Sequence, residues 1–128
     1  MKIRGTDFVL YRVSNIARAA RFYREILGLP QEVYSEAEQW AEFNCGNVTL
    51  SLMGGAKLPK KTSGGRMALA VKNVRAVHAE LKKKKVRVLK APRDYSVCWA
   101  MEIADPDGNA VILHQRADGT CGQDSPRT

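Results

Sequence analysis

The sequence predicts an α+β fold in which two βαβββ modules form a curved mixed sheet with an open concave cleft. The chain has 128 residues, about the length of one domain. One helix signal and four strand signals occur twice in the same order, and a stretch rich in glycine and lysine separates the two sets. We therefore expect a single domain over 1–128, with modules at about 7–53 and 66–115, a linker at 54–65 and a flexible tail at 117–128.

The first module begins with an apolar, β-branched and aromatic run from Phe8 to Val13, which is typical of a strand. Ser14 or Asn15 can cap the following helix, in which apolar residues recur at three- and four-residue steps. Gly28 is a residue type that commonly ends helices. Further strands are expected at Glu32 to Ser35, Gln39 to Phe43 and Val48 to Met53.

The second module shows the same order of signals. Met67 to Val71 is the first strand candidate, Asn73 can cap a helix, and apolar residues then recur at helical spacing through Leu81. Further strands are expected at Val86 to Leu89, Val97 to Ile103 and Ala110 to His114.

An internal repeat is visible on direct superposition of the two halves. Residues 13–16 lie over 71–74 at an offset of 58, which places Phe8 over Arg66. One helix and four short strands are too little to bury a sheet face alone. We therefore expect the two modules to join.

A second superposition concerns the last strand of each module. Residues 46–52 lie over 108–114 at an offset of 62, and both segments begin with Gly-Asn. This superposition places Leu50 over Ile112.

Net charge and cysteine content narrow the possible partners and the possible kinds of site. The 21 Lys and Arg against 13 Asp and Glu give a net charge of +8, which favours anionic partners. Cys45, Cys98 and Cys121 show no C-x-x-C spacing, so neither a disulfide framework nor a thiolate zinc site is indicated. Without a signal core or a run of ~18 apolar residues, we expect a cytoplasmic protein with no membrane partner.

Lysines at 82–85 and in the linker raise the question of nucleic-acid binding. Lysines at the end of a helix complement its dipole, and this accounts for the lysines at 82–85 without a nucleic-acid partner. No recognition helix, aromatic RNA-binding signature or zinc finger accompanies it. We expect no specific nucleic-acid partner.

Two motifs resemble those of a known superfamily. The strand, cap and helix from Val13 to Leu29, and the turn at 105–109 before the last strand, are similar to those of the glyoxalase/bleomycin-resistance/dioxygenase group, also called the vicinal oxygen chelate superfamily. The similarity covers Phe8 to Gln115 and implies this fold and a homodimer. It does not select a reaction, because the group includes metal-dependent isomerases, lyases, ring-cleaving dioxygenases and fosfomycin-modifying transferases, as well as metal-free drug-sequestering proteins.

The resemblance also implies where a metal would bind. Enzymatic members hold it with four inward side chains, usually His, Glu or Gln, and the matching positions here are Phe8, Leu50, Arg66 and Ile112. Phenyl and aliphatic groups have no lone pair to donate, and a guanidinium is a cation with hydrogen-bond donors only. We therefore expect no metal, no other cofactor and no assigned catalytic residue.

Arg66 has two interpretations. In a partly dry cleft, its guanidinium would bind a carboxylate or phosphate through charge-assisted hydrogen bonds. Alternatively, Arg66 forms a structural salt bridge with Glu42 or Glu102.

The direction of the strand containing Trp99 decides which of its side chains enter the cleft. We expect Trp99 and Met101 to point inward, unless a bulge before Ile103 turns Ala100 and Glu102 inward instead. The full set of predicted ligand-binding residues is Phe8, Phe43, Leu50, Leu52, Arg66, Trp99, Met101, Ile112 and His114.

The two histidines differ in their expected positions. His114 is two residues beyond Ile112 on the same strand face and can reach the cleft, but no triad or metal-site partner accompanies it. His78 is in the middle of the second helix, where we expect packing or an interface.

The sequence favours a metal-free protein that binds a small organic molecule, either anionic or neutral aromatic, as a resistance or sequestering protein. One alternative is a metal-dependent lyase, isomerase or dioxygenase with ligands outside the four positions, such as His114 with Glu102 or Glu42. A second alternative is a dimeric interaction module without a ligand.

Overall fold

The computed structural model describes residues 1, 2, 4, 6–55, 57 and 65–122. Contacts between Cα atoms divide the chain into two units, Met1–Lys60 and Lys61–Thr128. The division falls within the predicted linker, most of which lies outside the described residues, as do residues 123–128 of the predicted tail. Each unit contains one βαβββ module, so the predicted repeat is confirmed.

The first unit contains a four-stranded mixed sheet of order β1-β4-β3-β2, in which β1 and β4 are parallel and the other pairs are antiparallel. Its helix begins after Asn15, whose Oδ1 accepts the backbone N–H of Arg18 at 2.9 Å. The elements are β1 (Phe8–Arg12), α1 (Ile16–Arg21), β2 (Gln31–Ser35), β3 (Trp40–Asn44) and β4 (Thr49–Met53).

The first helix changes its hydrogen bonding before it ends. After α1 the chain continues as a π-helical segment, Phe22–Ile26, and the Leu27 N–H donates to the Phe22 carbonyl at 3.1 Å. The chain then turns at Gly28, whose φ of +70° lies in the left-handed region that favours glycine. The predicted helical extent is therefore right, but its last part is π-helical.

The second unit contains the equivalent mixed sheet, of order β5-β8-β7-β6, with β5 parallel to β8. Its helix is capped like the first, because Asn73 Oδ1 accepts the backbone N–H of Ala76 at 3.1 Å. The elements are β5 (Met67–Ala70), α2 (Val74–Lys83), β6 (Val88–Asp94), β7 (Cys98–Ala104) and β8 (Ala110–Arg116).

Strand β6 extends to Asp94, five residues beyond its predicted end at Leu89. Its pairing with β7 shifts register twice, on either side of Lys90. Because β6 is an edge strand, Pro92 is tolerated although it cannot donate a ladder hydrogen bond. The sequence of β6 is basic, contains a proline and shows no strand-like alternation, so its second half could not be predicted as a strand.

Each unit has its own apolar core, formed where helix and sheet residues are excluded from water. In the first unit the core includes Val13, Ile16, Tyr23, Phe43, Leu50 and Leu52; in the second it includes Val74, Leu81, Met101, Ile103, Val111 and Leu113. Burying one such large side chain stabilises a fold by about 1.5–3 kcal/mol.

Within the described residues, the helices are too short and too polar for any of them to cross a bilayer.

Candidate ligand-binding site

A cavity of ≈ 280 Å³ opens on the sheet of the second unit. Glu102 and Ile112 are directly paired across β7 and β8, so their side chains share one face of the sheet. The cavity is lined by Arg66, Lys90, Ala91, Tyr95, Cys98, Ala100, Met101, Glu102 and Ile112.

The side-chain direction of β7 differs from our first expectation. Pairing between β7 and β8 is regular from Cys98 with Arg116 to Ala104 with Ala110, so no bulge interrupts β7. Ala100 and Glu102 are on the Ile112 face because Glu102 pairs with Ile112 itself. The alternative direction is therefore the observed one, although its cause is the uninterrupted register rather than a bulge.

Trp99 consequently points away from the cavity, and the expectation that it lines the cleft is wrong. The guanidinium carbon of Arg75, on α2, lies 4.5 Å from the centroid of the Trp99 ring, so the indole packs on the helix side of the sheet. Met101 is only 2% exposed and belongs mainly to the core, although it also borders the cavity.

A buried carboxylate lies between two exposed cations at the cavity. Arg66 Nη1 donates to Glu102 Oε2 at 3.4 Å, and Lys90 Nζ lies 3.7 Å from the same oxygen. The Glu102 side chain is 9% exposed, whereas those of Arg66 and Lys90 are 51% and 65% exposed. The Arg66–Glu102 pair that we considered as an alternative is present, and Lys90 is an additional partner that sequence reasoning missed.

A third cation belongs to the same region. Arg93 pairs with Ala100 and therefore shares the cavity face, and its guanidinium carbon lies 5.1 Å from the ring centroid of Tyr95. Among the charged groups that line the cavity, Arg66 and Lys90 outnumber the Glu102 carboxylate, so these groups leave a positive charge there. The sequence signal for Lys90 and Arg93 was weak because both lie on the irregular edge strand β6.

Three predicted ligand contacts of the first unit are inaccessible. Phe43, Leu50 and Leu52 are all 0% exposed, and the Phe43 ring lies 6.0 Å from the ring of Tyr23 in the helical segment. Leu50 pairs with Phe43 and so faces the same way. These side chains belong to the helix-facing core, and the expectation that they line a cleft is wrong.

A difference in turn length explains this error. In the first unit the Cys45 N–H donates to the Val48 carbonyl, whereas in the second the Asp105 N–H donates to the Asn109 carbonyl. The first turn is thus one residue shorter. Superposing the two Gly-Asn pairs shifts β4 by one residue, and a shift of one residue moves every side chain to the opposite face.

Ser51, rather than Leu50, is therefore the counterpart of Ile112. Ser51 pairs with Leu10 and Glu42 as Ile112 pairs with Ala68 and Glu102. The four positions that the resemblance gives to metal ligands become Phe8, Ser51, Arg66 and Ile112.

These four side chains do not fit the metal of the enzymatic members. A neutral serine hydroxyl is the single oxygen donor among them, and Arg66 brings a positive charge. Across the described ranges, no group of three or more His, Cys, Asp or Glu side chains is arranged to hold a metal ion.

The remaining predicted residues lie on accessible faces. Phe8 is 51% exposed, and its ring centroid lies 6.4 Å from that of Trp40. His114 is half-buried and pairs with Ala70 and Ala100, which places it on the Ile112 face as expected. His78 is half-buried on α2.

Comparisons with known proteins agree with this architecture. At 31% identity over 118 residues, the chain is similar to the metallothiol transferase FosB of Staphylococcus epidermidis; the match covers 88% of this chain and 84% of that protein. FosB of Staphylococcus haemolyticus matches with the same identity and the same coverage.

Solved structures resemble the chain in fold. Lactoylglutathione lyase from Agrobacterium tumefaciens superposes with a TM-score of 0.72 at 17% identity, covering 89% of this chain and 95% of that one. Fosfomycin resistance protein FosX from Mesorhizobium loti superposes with a TM-score of 0.69 at 19% identity, covering 88% of this chain and 92% of that one.

A family model supplies the assignment. The model described as the Glyoxalase/Bleomycin resistance protein/Dioxygenase superfamily matches residues 5–113, which include every helix and nearly all strand residues described above. The chain therefore belongs to the glyoxalase/bleomycin resistance protein/dioxygenase superfamily.

Proposed function

We propose that this protein binds a small organic anion, or a neutral aromatic molecule, at the cavity of the second unit, without a metal ion, as a resistance or sequestering protein. The observation that supports this most strongly is the Arg66 guanidinium. It borders the cavity, is half-exposed, and stands where the enzymatic members of the superfamily have a metal ligand.

The surroundings of Arg66 favour an anion over a cation. Glu102 holds Arg66 through one Nη1 contact to one oxygen, which is not a bidentate pair. A guanidinium has five N–H donors, so it can also engage a ligand carboxylate or phosphate. Lys90 adds a second positive charge at the same carboxylate, and Ala100 and Ile112 supply apolar contacts for the rest of the molecule.

Binding of defined probes tests this proposal. Benzoate and phenyl phosphate carry an anion on an aromatic ring, and benzyl alcohol has the ring without the charge. We expect calorimetry to give saturable binding of at least one anion, and Arg66→Ala to weaken it. Arg21→Ala is the matched control, because Arg21 is an exposed arginine on α1. Equal anion affinity in the wild type and Arg66→Ala would refute the role of Arg66.

A metal-dependent enzyme is the second candidate, and the similarity to FosB favours it, since that protein is named a metallothiol transferase. It requires ligands outside the four positions, such as His114 and Glu102, which share one face of the sheet in the second unit. Protein loaded with Mn²⁺ or Ni²⁺ and incubated with fosfomycin and a thiol tests it. Consumption of fosfomycin that depends on the metal would favour this candidate.

The third possibility, an interaction module without a ligand, is less well supported because the second unit has a cavity of molecular size bordered by charged groups.

A further inference from the structure

We propose that the exposed side of α2 in the second unit is a contact surface for the phosphate backbone of a nucleic-acid duplex, without recognition of any base sequence. The surface belongs to residues 72–87, which comprise α2 and the residues that flank it, and we call this stretch the basic segment. All of it lies in the second unit, and none of its residues lines the cavity.

The positive charge of the second unit is concentrated in the basic segment. Residues 61–128 contain 13 Lys and Arg against seven Asp and Glu, a net charge of +6. The basic segment alone contains seven Lys and Arg against one Glu, which is also +6, so the rest of the unit is balanced. All seven cations are exposed: Lys72, Arg75, Lys82, Lys83, Lys84, Lys85 and Arg87.

The helix dipole accounts for the cations at only one end of α2. Lysines near the last turn complement the dipole, but Lys72 and Arg75 lie at the N-terminal end, where a positive charge is unfavourable. The first turn of α2 contains no acidic residue to offset them. Glu80, the one acid of the segment, already pairs with Lys84, whose Nζ lies 3.2 Å from its Oε1. Exposed cations at both ends of the helix therefore indicate an anionic partner.

The other side chains of the basic segment favour a duplex over a membrane or a single strand. Val74 and Leu81 are buried and none of the segment's large apolar side chains is exposed, so α2 has nothing to insert between lipid headgroups. The segment has no Phe, Tyr or Trp on which unpaired bases could stack. Its ten-residue helix spans about 15 Å, along which a duplex carries about nine phosphate charges.

Fluorescence anisotropy with a fluorescein-labelled DNA duplex of about 20 base pairs tests the proposal. We expect saturable binding that is alike for two duplexes of unrelated sequence. If about four phosphates are neutralised, the affinity should fall about 150-fold between 50 and 200 mM salt, because each contact releases counterions from the duplex. Absence of saturable binding at the lower salt concentration would overturn the proposal, as would binding that salt does not weaken.

A triple variant tests whether the basic segment makes the contact. Lys82→Gln/Lys83→Gln/Lys85→Gln removes three of its exposed cations. Lys84 is kept because it pairs with Glu80. The variant should bind the duplex at least about tenfold more weakly than the wild type. Its plot of log affinity against log salt concentration should be less steep by about 2–3.

The matched control removes the same charge from exposed positions of the first unit, as Lys2→Gln/Arg21→Gln/Lys57→Gln. It should change duplex binding by less than about threefold. Equal weakening by both triple variants would show that net charge rather than the basic segment attracts the duplex, and would overturn the proposal. Binding to vesicles of phosphatidylcholine and phosphatidylglycerol, without binding to the duplex, would overturn it in favour of a membrane surface.

Discussion

The position of Arg66 is compatible with both alternatives that the sequence leaves open. It contacts Glu102, which is nearly buried, and it also borders the cavity. Because Arg66 is half-exposed and Lys90 remains beside Glu102, the pair contributes little to folding, on the order of 1 kcal/mol or less.

Arg66→Ala should accordingly affect binding more than stability. We expect the affinity for a carboxylate or phosphate probe to fall by about 1.5–3 kcal/mol, the value of a charge-assisted hydrogen bond in a sheltered site. Calorimetric titration and a melting curve on the same sample measure both effects. A large loss of stability with intact affinity would mean that the salt bridge is structural and that Arg66 is not the ligand contact.

Cys45 should react more slowly than a free thiol. Burial raises the pKa of its thiol above that of a free cysteine, and the backbone hydrogen bond from Leu50 opposes this only in part. The double variant Cys98→Ser/Cys121→Ser keeps Cys45 as its one thiol. Since the thiolate is the reactive form, this variant should react with a disulfide reagent more slowly than glutathione does at about pH 8.

The same shift has a consequence for stability. A thiol whose pKa is raised on folding stabilises the fold while it is protonated, and this contribution is lost as pH rises above the thiol pKa of the unfolded chain, about 8.5. If the rate at which Cys45 reacts with the disulfide reagent stopped rising below about pH 8.5, the raised pKa of this thiol would be contradicted.

At the scale of elements, the helix starts depend on local hydrogen bonds that the sequence reveals directly. Asn15 and Asn73 occupy equivalent positions, and the Oδ1 of each accepts a backbone N–H three residues later. Asn73→Ala should therefore destabilise the protein by about 1 kcal/mol. Chemical denaturation measures this effect.

The matched control for this substitution is Asn47→Ala. Asn47 is an exposed turn asparagine, and its change should stay within about 0.5 kcal/mol. An equal loss in both variants would show that capping is not the cause.

The order of the elements was predictable, whereas the register of β4 was not. Capping and periodicity are local properties, so the helices beginning at Ile16 and Val74 could be located from the sequence. Register depends on turn length, and the turn before β4 is one residue shorter than its counterpart although both contain Gly-Asn. That single residue moved Leu50 into the core and Ser51 to the opposite face.

The candidate site was predicted in part for a related reason. Arg66 and Ile112 were recognised because the repeat and the resemblance fix their positions. Lys90 and Arg93 were missed because their strand has an irregular register, a proline and no alternating pattern. Direct pairing of Glu102 with Ile112 could not be read from the sequence until the β7 register was known.

At the scale of the whole molecule, we expect a homodimer. Two small modules bury limited apolar surface by themselves, and the superfamily resemblance implies association. Light scattering at micromolar concentration should give twice the chain mass of 14.2 kDa. A strict monomer at that concentration would contradict this expectation.

The metal content of the purified protein tests whether this protein binds its ligand without a metal ion. Phe8, Ser51, Arg66 and Ile112 provide one neutral hydroxyl and a positive charge where the enzymatic members have His, Glu or Gln. Protein purified without chelator should therefore contain far less than one atom of zinc, nickel, iron or manganese per chain by elemental analysis. A content near one atom per chain would contradict binding without a metal.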